Sequence, residues 1–135
     1  MNYWLIKSEP NTYSWDDLVR LGVDHWDGVR NFKARNNIKA MQKGDQCLFY
    51  HSVSEKAVIG IAEVVKEYYR DPTTDDDRWY VMDVRPLRKL KRPVTLAEVK
   101  TDKRLSEMQL VKYPRLSVQK VTREEFDVIL ELSEQ

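Results

Sequence analysis

The chain has one cysteine, Cys47, in 135 residues, so no disulfide can form within it. Stability has to come from a packed core, and 135 residues with 41% apolar content are enough for a single domain. A lone cysteine also fits a reducing, cytoplasmic setting. Glycine is scarce: only Gly22, Gly28, Gly44 and Gly60 occur, far apart. That spacing excludes a glycine-rich phosphate loop and a dinucleotide fingerprint. Histidine is scarcer still, with His25 and His51 alone, and with Cys47 they offer no paired ligand spacing for a metal. No cofactor is expected on these grounds. No apolar run approaches the ~20 residues of a membrane span, so no membrane partner is expected. The opening "MNYWLIKSEP" has no basic lead and no long apolar stretch, and so does not read as a signal peptide. Neither charge sign dominates, since the net charge is +1. A general nucleic-acid sponge would be more basic.

What is present is ordered as strand, helix, helix, three strands, short helix or helices, strand, helix. "NYWLIK" reads as a first strand ended by the turn-forming "SEPN". Ser14 with Asp17 makes a capping box, and Gly22 ends that helix. Asn31 is a fair N-cap for a second helix carrying Ala34, Ile38 and Met41 at helical spacing, with Gly44 as its stop. "QCLFYHS" (46–52), "AVIGIAEVV" (57–65) and "RWYVMDVRPL" (78–87) are strands, the last weakened at its end by Pro86. Thr95/Glu98 and Thr122/Glu125 are further capping boxes, and "RLSVQKV" (115–121) lies between them as a strand. The order lacks βαβα alternation. It predicts an α+β fold with a mixed, mostly antiparallel sheet curled towards a barrel and flanked by short helices.

Charge is unevenly placed. "RPLRKLKR" (85–92) holds five basic residues and no acid, and residues 75–77 are three aspartates. A local basic edge of this kind can meet phosphates, while a solvated strand end and a solvated turn are the plainer readings of the two runs. Cys47 and His51 on one strand would stand about 13 Å apart at about 3.3 Å per residue. A thiol–imidazole pair needs about 3 Å, so Cys47 reads as a small core residue rather than a nucleophile.

Polar or aromatic groups interrupt apolar text at "KSEP" (7–10), "WDGVRN" (26–31), "YHS" (50–52) and "RLS" (115–117). If the sheet closes on itself, such places converge on one end of it and form a concave site. Trp26 offers a flat apolar face. Ser8, Asn31, His51 and Ser52 offer donors and acceptors. Lys7, Arg30 and Arg115 offer positive charge. A nucleobase needs that mixture of stacking, edge hydrogen bonds and phosphate neutralisation. Two other classes compete. One is an enzyme acting on a modified nucleotide or nucleic acid, with His51 as base beside Asp71 or Asp27. The other is a protein-interaction module using the 85–92 strand edge.

The blocks "WLIKSEP" (4–10), "WDGVRNFKARN" (26–36), "MQKGDQCLFYHS" (41–52), "GIAEVV" (60–65) and "RLSVQKVT" (115–122) resemble the EVE domain family, in its order and over nearly the whole chain. "GVRN-x-x-ARN" and "GD-x-x-x-FYHS" are the most specific. The resemblance implies one domain over residues 1–135 with a PUA-like pseudo-barrel, related to the YTH domains that read methylated adenine in RNA. It implies binding, without catalysis, of DNA or RNA containing a modified base, with methylated or hydroxymethylated cytosine the leading candidate. It implies pocket roles for Lys7, Ser8, Trp26, Arg30, Asn31, His51, Ser52, Arg115 and Ser117. Gly28 would permit the turn and Asn36 would tie the loop to the helix. Trp26→Ala is expected to remove base binding and leave the fold intact. "YYRDPTTDDDRWY" follows the family only loosely, and Tyr113 and Pro114 are bulkier than its pattern.

Overall fold

A computed structural model describes residues 1–135. The first apolar block forms β1, Tyr3–Ser8, whose side chains alternate between two buried surfaces. Trp4 and Ile6 point to one, Leu5 to the other. The two strongest apolar blocks form β3 (Gln46–His51) and β4 (Ala57–Arg70), and β5 is Tyr80–Thr95. With the two-residue β2 (Asp24–His25) and with β6 (Val118–Val121), they make one six-stranded sheet in the order β2-β5-β4-β3-β1-β6. β1 and β3 run parallel, and the other four pairings are antiparallel.

Both faces are covered. One carries α1 (Trp15–Leu21) and α2 (Phe32–Ala40), around Trp4, Ile6, Phe49, Val64 and Met82. The other carries α3 (Leu96–Thr101), a 3₁₀ turn at Lys103–Leu105, α4 (Gln109–Lys112) and α5 (Arg123–Ser133), around Leu5, Leu48, Ile61 and Ile129. α2 packs against β6, β5 and β4, and so bridges the gap left between the edges of the curled sheet. The result is an incompletely closed barrel, as the element order predicts. No helix is long and apolar enough to cross a membrane.

All three predicted capping boxes form, at Ser14/Asp17, Thr95/Glu98 and Thr122/Glu125. Asn31 is the N-cap of α2, its side chain accepting from the Ala34 N–H. That helix ends at Ala40, earlier than predicted. Gly44 instead serves the following turn at φ 95°, which sets Asp45 below the sheet. There the Asp45 carboxylate, 2% exposed, accepts from the Trp4 indole N–H and from the backbones of Asn2 and Gln42. The "GD" of the family-like motif is thus a buried staple.

The largest departure is β5, which continues eight residues beyond the predicted end at Leu87. Pro86 does not stop it, for two reasons. Beyond Val84 the outer edge of β5 has no partner strand, so the missing proline N–H leaves no ladder bond unmade. Pro86 also lies opposite Ala62, where the register slips. The basic run 85–92 is therefore strand, not a frayed end. Two of its arginines are paired, Arg85 with Glu63 and Arg92 with Glu98.

The Arg92–Glu98 pair sets one pH dependence. Hydrogen bonds from Arg92 hold the Glu98 carboxyl down at about 2, against an ordinary 4.5, although partial burial works the other way. A carboxyl lowered by folding stabilises the fold above its unfolded pKa and loses that contribution as pH falls towards the folded one. The urea midpoint of Arg92→Ala is accordingly expected to lie below that of the parent at pH 6. The gap should narrow steadily between pH 4.5 and 2. A gap independent of pH over that window would show that the pair is not the cause.

Candidate functional site

Three of the four polar interruptions meet at one end of the sheet. Ser8 pairs with His51 across the parallel strands, and the Ser52 N–H donates to the Ser8 carbonyl at 2.8 Å. The Lys7 N–H donates to the Ser117 carbonyl at 3.0 Å. After Ser8 the "EPNT" segment turns back on itself, with the Thr12 and Tyr13 amides both donating to the Glu9 carbonyl. The Ser8 hydroxyl donates to the Tyr13 carbonyl and closes that turn. From the opposite side comes β2. Its pairing with β5 is extended by Trp26 N–H to the Met82 carbonyl at 2.8 Å, and Gly28, at φ 75°, then turns the chain away.

These two segments wall a cleft of about 470 Å³, lined by Lys7, Ser8, Glu9, Thr12, Tyr13 and the run Asp24–Gly28. The volume falls within the ~300–1,000 Å³ of small-molecule sites. Trp26 stands edge-on to Tyr13 (5.9 Å, 85°) and to Phe49 (5.5 Å, 82°). His25 lies between two carboxylates, its Nε2 3.2 Å from Asp27 and its Nδ1 3.5 Å from Asp24. The Tyr13 hydroxyl is enclosed and has no hydrogen-bond partner. Burial, and then the neighbouring Asp24, push its pKa well above the ordinary phenol value. The hydroxyl thus lies closed off behind the cleft wall, next to Asp24.

Two further depressions adjoin. A cleft of about 410 Å³ shares Lys7 and Glu9 with the first and is lined also by Tyr50, Ser52, Val53, Lys56, Leu96, Arg115 and Ser117. Lys7 is the partition. Its ammonium donates to the Pro114 carbonyl at 2.6 Å and sits 5.8 Å from the Tyr50 ring centre, and burial lowers its pKa. A shallower groove shares Pro114 and Arg115 with this second cleft and adds Asn31, Lys33, Lys112 and Tyr113.

The predicted site residues therefore divide. Ser8 and Trp26 share the first cleft, and Lys7 lines the first and second. Ser52, Arg115 and Ser117 lie in the second, and Asn31 in the groove beyond it. Two residues lie in none of these. Arg30 is held on the far side of its loop, donating to Asp71 at 3.1 Å and to its neighbour's carbonyl, with its guanidinium 5.6 Å from the Trp79 ring. His51 is buried at 8% exposure. Its Nε2 accepts from the Trp15 N–H at 3.0 Å, which leaves the proton on Nδ1, 2.9 Å from Glu55. Neither Asp71 nor Asp27 reaches it. Asp71, 0% exposed, is occupied by Thr73 and Arg30, and Asp27 by His25. The team envisaged for an enzyme is therefore not assembled.

Three other expectations change. Trp26 is 7% exposed and part of the core, so its removal cannot leave the fold untouched. Asn31 spends its side-chain oxygen on the α2 cap at 3.0 Å. Asn36 is exposed and accepts only from Arg35, whereas the buried Asn37 ties α2 to β6 by donating to the Val118 carbonyl. Sequence reasoning missed Tyr13, Asp24 and His25, and offered Asp27 only as a partner of His51 in an enzyme. The signal was adjacency. "DHWDG" places two acids and a histidine around the tryptophan, and "SEPNTY" folds back onto it. No group of three or more His, Cys, Asp or Glu is arranged to hold a metal ion. The aspartates at 75–77 are partly engaged, Asp76 accepting from Arg78 and from the Trp79 indole.

The model of the EVE domain matches residues 2–132. Mouse thymocyte nuclear protein 1 is 38% identical over an alignment of 167 positions, which takes in 98% of this chain and 74% of the mouse protein. Among solved structures, Atu2648 from Agrobacterium tumefaciens superposes with a TM-score of 0.97 at 42% identity, covering 98% of this chain and 93% of that one. Human THYN1, solved in complex with DNA containing 5-methylcytosine, superposes with a TM-score of 0.92 at 36% identity, covering 100% of this chain and 99% of the human one.

Proposed function

Taking as premise that the chain belongs to the EVE domain family, we propose that it binds DNA carrying a modified cytosine and seats that base, unstacked from its neighbours, in the Trp26 cleft. The observation that carries this reading is the composition of the cleft wall. Two aromatic rings, of Tyr13 and Trp26, stand beside three carboxylates, those of Glu9, Asp24 and Asp27. A carboxylate accepts from the exocyclic amine of cytosine, and aromatic rings pack against the plane of a base. The human relative's complex with 5-methylcytosine DNA supports the same ligand class. Recognition without turnover is the function in this reading.

Discrimination follows from the same chemistry. The 5-methyl group adds about 1 kcal/mol if buried, roughly a fivefold preference over cytosine. Thymine carries that methyl but presents an oxygen where cytosine has its amine. Facing Asp24 and Asp27, that oxygen is unpaired and repelled, at about 1–3 kcal/mol. Calorimetric titration with short single strands holding one 5-methylcytosine, cytosine or thymine is expected to rank them in that order. Asp24→Asn/Asp27→Asn is expected to weaken the 5-methylcytosine complex and erase most of the discrimination against thymine. Thymine bound as tightly as 5-methylcytosine by the parent would overturn the assignment.

A further inference from the structure

We propose that the second cleft, across Lys7 from the first, is a subsite for the nucleotide adjoining the seated base on the same strand. The inference rests on the base-binding reading above and deepens it. The two clefts share Lys7 and Glu9 as a common wall, so a chain leaving the first has only that partition to pass before it reaches the second. The second cleft is chemically unlike the first. Its open side carries the exposed cations Lys56 and Arg115, neither of which takes part in any of the chain's salt bridges. Its only acid is Glu9, on the partition. A phosphodiester is therefore drawn to the Lys56–Arg115 side, away from Glu9 and from the carboxylates of the first cleft.

An apolar surface faces that charge. Val53 stands at the tip of the β3–β4 turn, 60% exposed, at φ 70°, with Lys56 also left-handed at φ 50°. A β-branched residue is disfavoured there, by about 1–3 kcal/mol. The turn is held nonetheless. His51 grips Glu55, the Ser52 amide is bonded to Ser8, and the Lys56 carbonyl accepts from the Leu96 N–H at 2.8 Å. A fixed, water-exposed apolar side chain beside two free cations matches a sugar or base face next to its phosphate.

The test compares 5-methyl-2′-deoxycytidine with the two dinucleotides that add thymidine on its 5′ or its 3′ side, titrated by NMR against the parent and against Arg115→Ala and Val53→Glu. Both positions are exposed, so the variants are expected to fold as the parent does. The parent should bind one dinucleotide at least tenfold more tightly than the nucleoside. Both variants should bind the nucleoside as the parent does and lose most of that gain. Equal binding of nucleoside and both dinucleotides, or a gain that survives in both variants, would overturn the subsite and leave the base cleft standing. Failure of all three ligands to bind would overturn both.

Discussion

Gly60→Val is expected to be the most destabilising single substitution in the sheet. A Cβ at Gly60 would lie 2.7, 2.8 and 2.9 Å from three atoms of the Trp15 indole. A side chain there meets a ring that cannot step aside. Trp15 is 4% exposed, stands edge-on to Phe49 at 5.4 Å, and is fixed through its backbone N–H to His51. The close approach has a local cause. A register slip between Val58 and Gly60 leaves Ile59 unpaired, so that Ile59 and Gly60 both serve the face that carries α1. Alanine is expected to cost about 1–3 kcal/mol through overpacking. Valine is expected to cost about 3–5 kcal/mol, comparable with removing the aromatic from the core, and to lower the melting temperature by on the order of 10 °C or more. Pairing Gly60→Ala with Trp15→Phe should return part of the loss. No recovery in that double variant, by urea denaturation, would mean that the indole is not the obstacle.

Thr12→Trp is expected to abolish base binding without disturbing the fold. Thr12 is exposed and lines the Trp26 cleft. Its backbone N–H donates to the Glu9 carbonyl, a bond that any residue except proline supplies. An indole there occupies the space the base would take. The affinity for a single strand with one 5-methylcytosine should fall at least tenfold, a loss of about 1.4 kcal/mol or more. The melting temperature should move by no more than about 2 °C, as for a surface substitution. Trp26→Ala makes an instructive contrast. It removes the cleft wall and also the ring packed on Phe49 and Tyr13, so it is expected to lose binding and about 3–5 kcal/mol of stability together. Loss of binding in Trp26→Ala therefore says little about the site, whereas loss in Thr12→Trp speaks to the cleft alone.

The sheet and its helices were legible because local chemistry and tertiary packing agree along most of the chain. Ser14, Thr95 and Thr122 announced their helices by their own capping side chains, and the apolar blocks at 46–52 and 57–65 had no other use than the sheet. β5 runs past Leu87 because a proline halts a strand only where its N–H is needed, and edge position is not written in the local sequence. β2 was invisible because two residues, Asp24 and His25, carry no periodicity.

The site was half legible for a related reason. Convergence of Lys7, Ser8, Ser52 and Ser117 follows from strand ends meeting, which an ordered list of strands foretells. Arg30 and Asn31 look like ligand contacts in the text, yet both are consumed by structure, one by Asp71 and Trp79, the other by the first turn of α2. Tyr13, Asp24 and Asp27 look like turn residues and yet wall the cleft. A polar residue's partners are settled by distant segments, and no local pattern says whether a side chain is already spoken for.

The most direct test follows the backbone and indole N–H signals of isotope-labelled protein while a trinucleotide with a central 5-methylcytosine is added. If the base lies where we place it, the largest shifts fall on Ser8, Thr12, Tyr13 and the run Asp24–Gly28, with the Trp26 indole among them. Shifts confined to the basic strand at 85–92, or to the face covered by α5, would contradict the account.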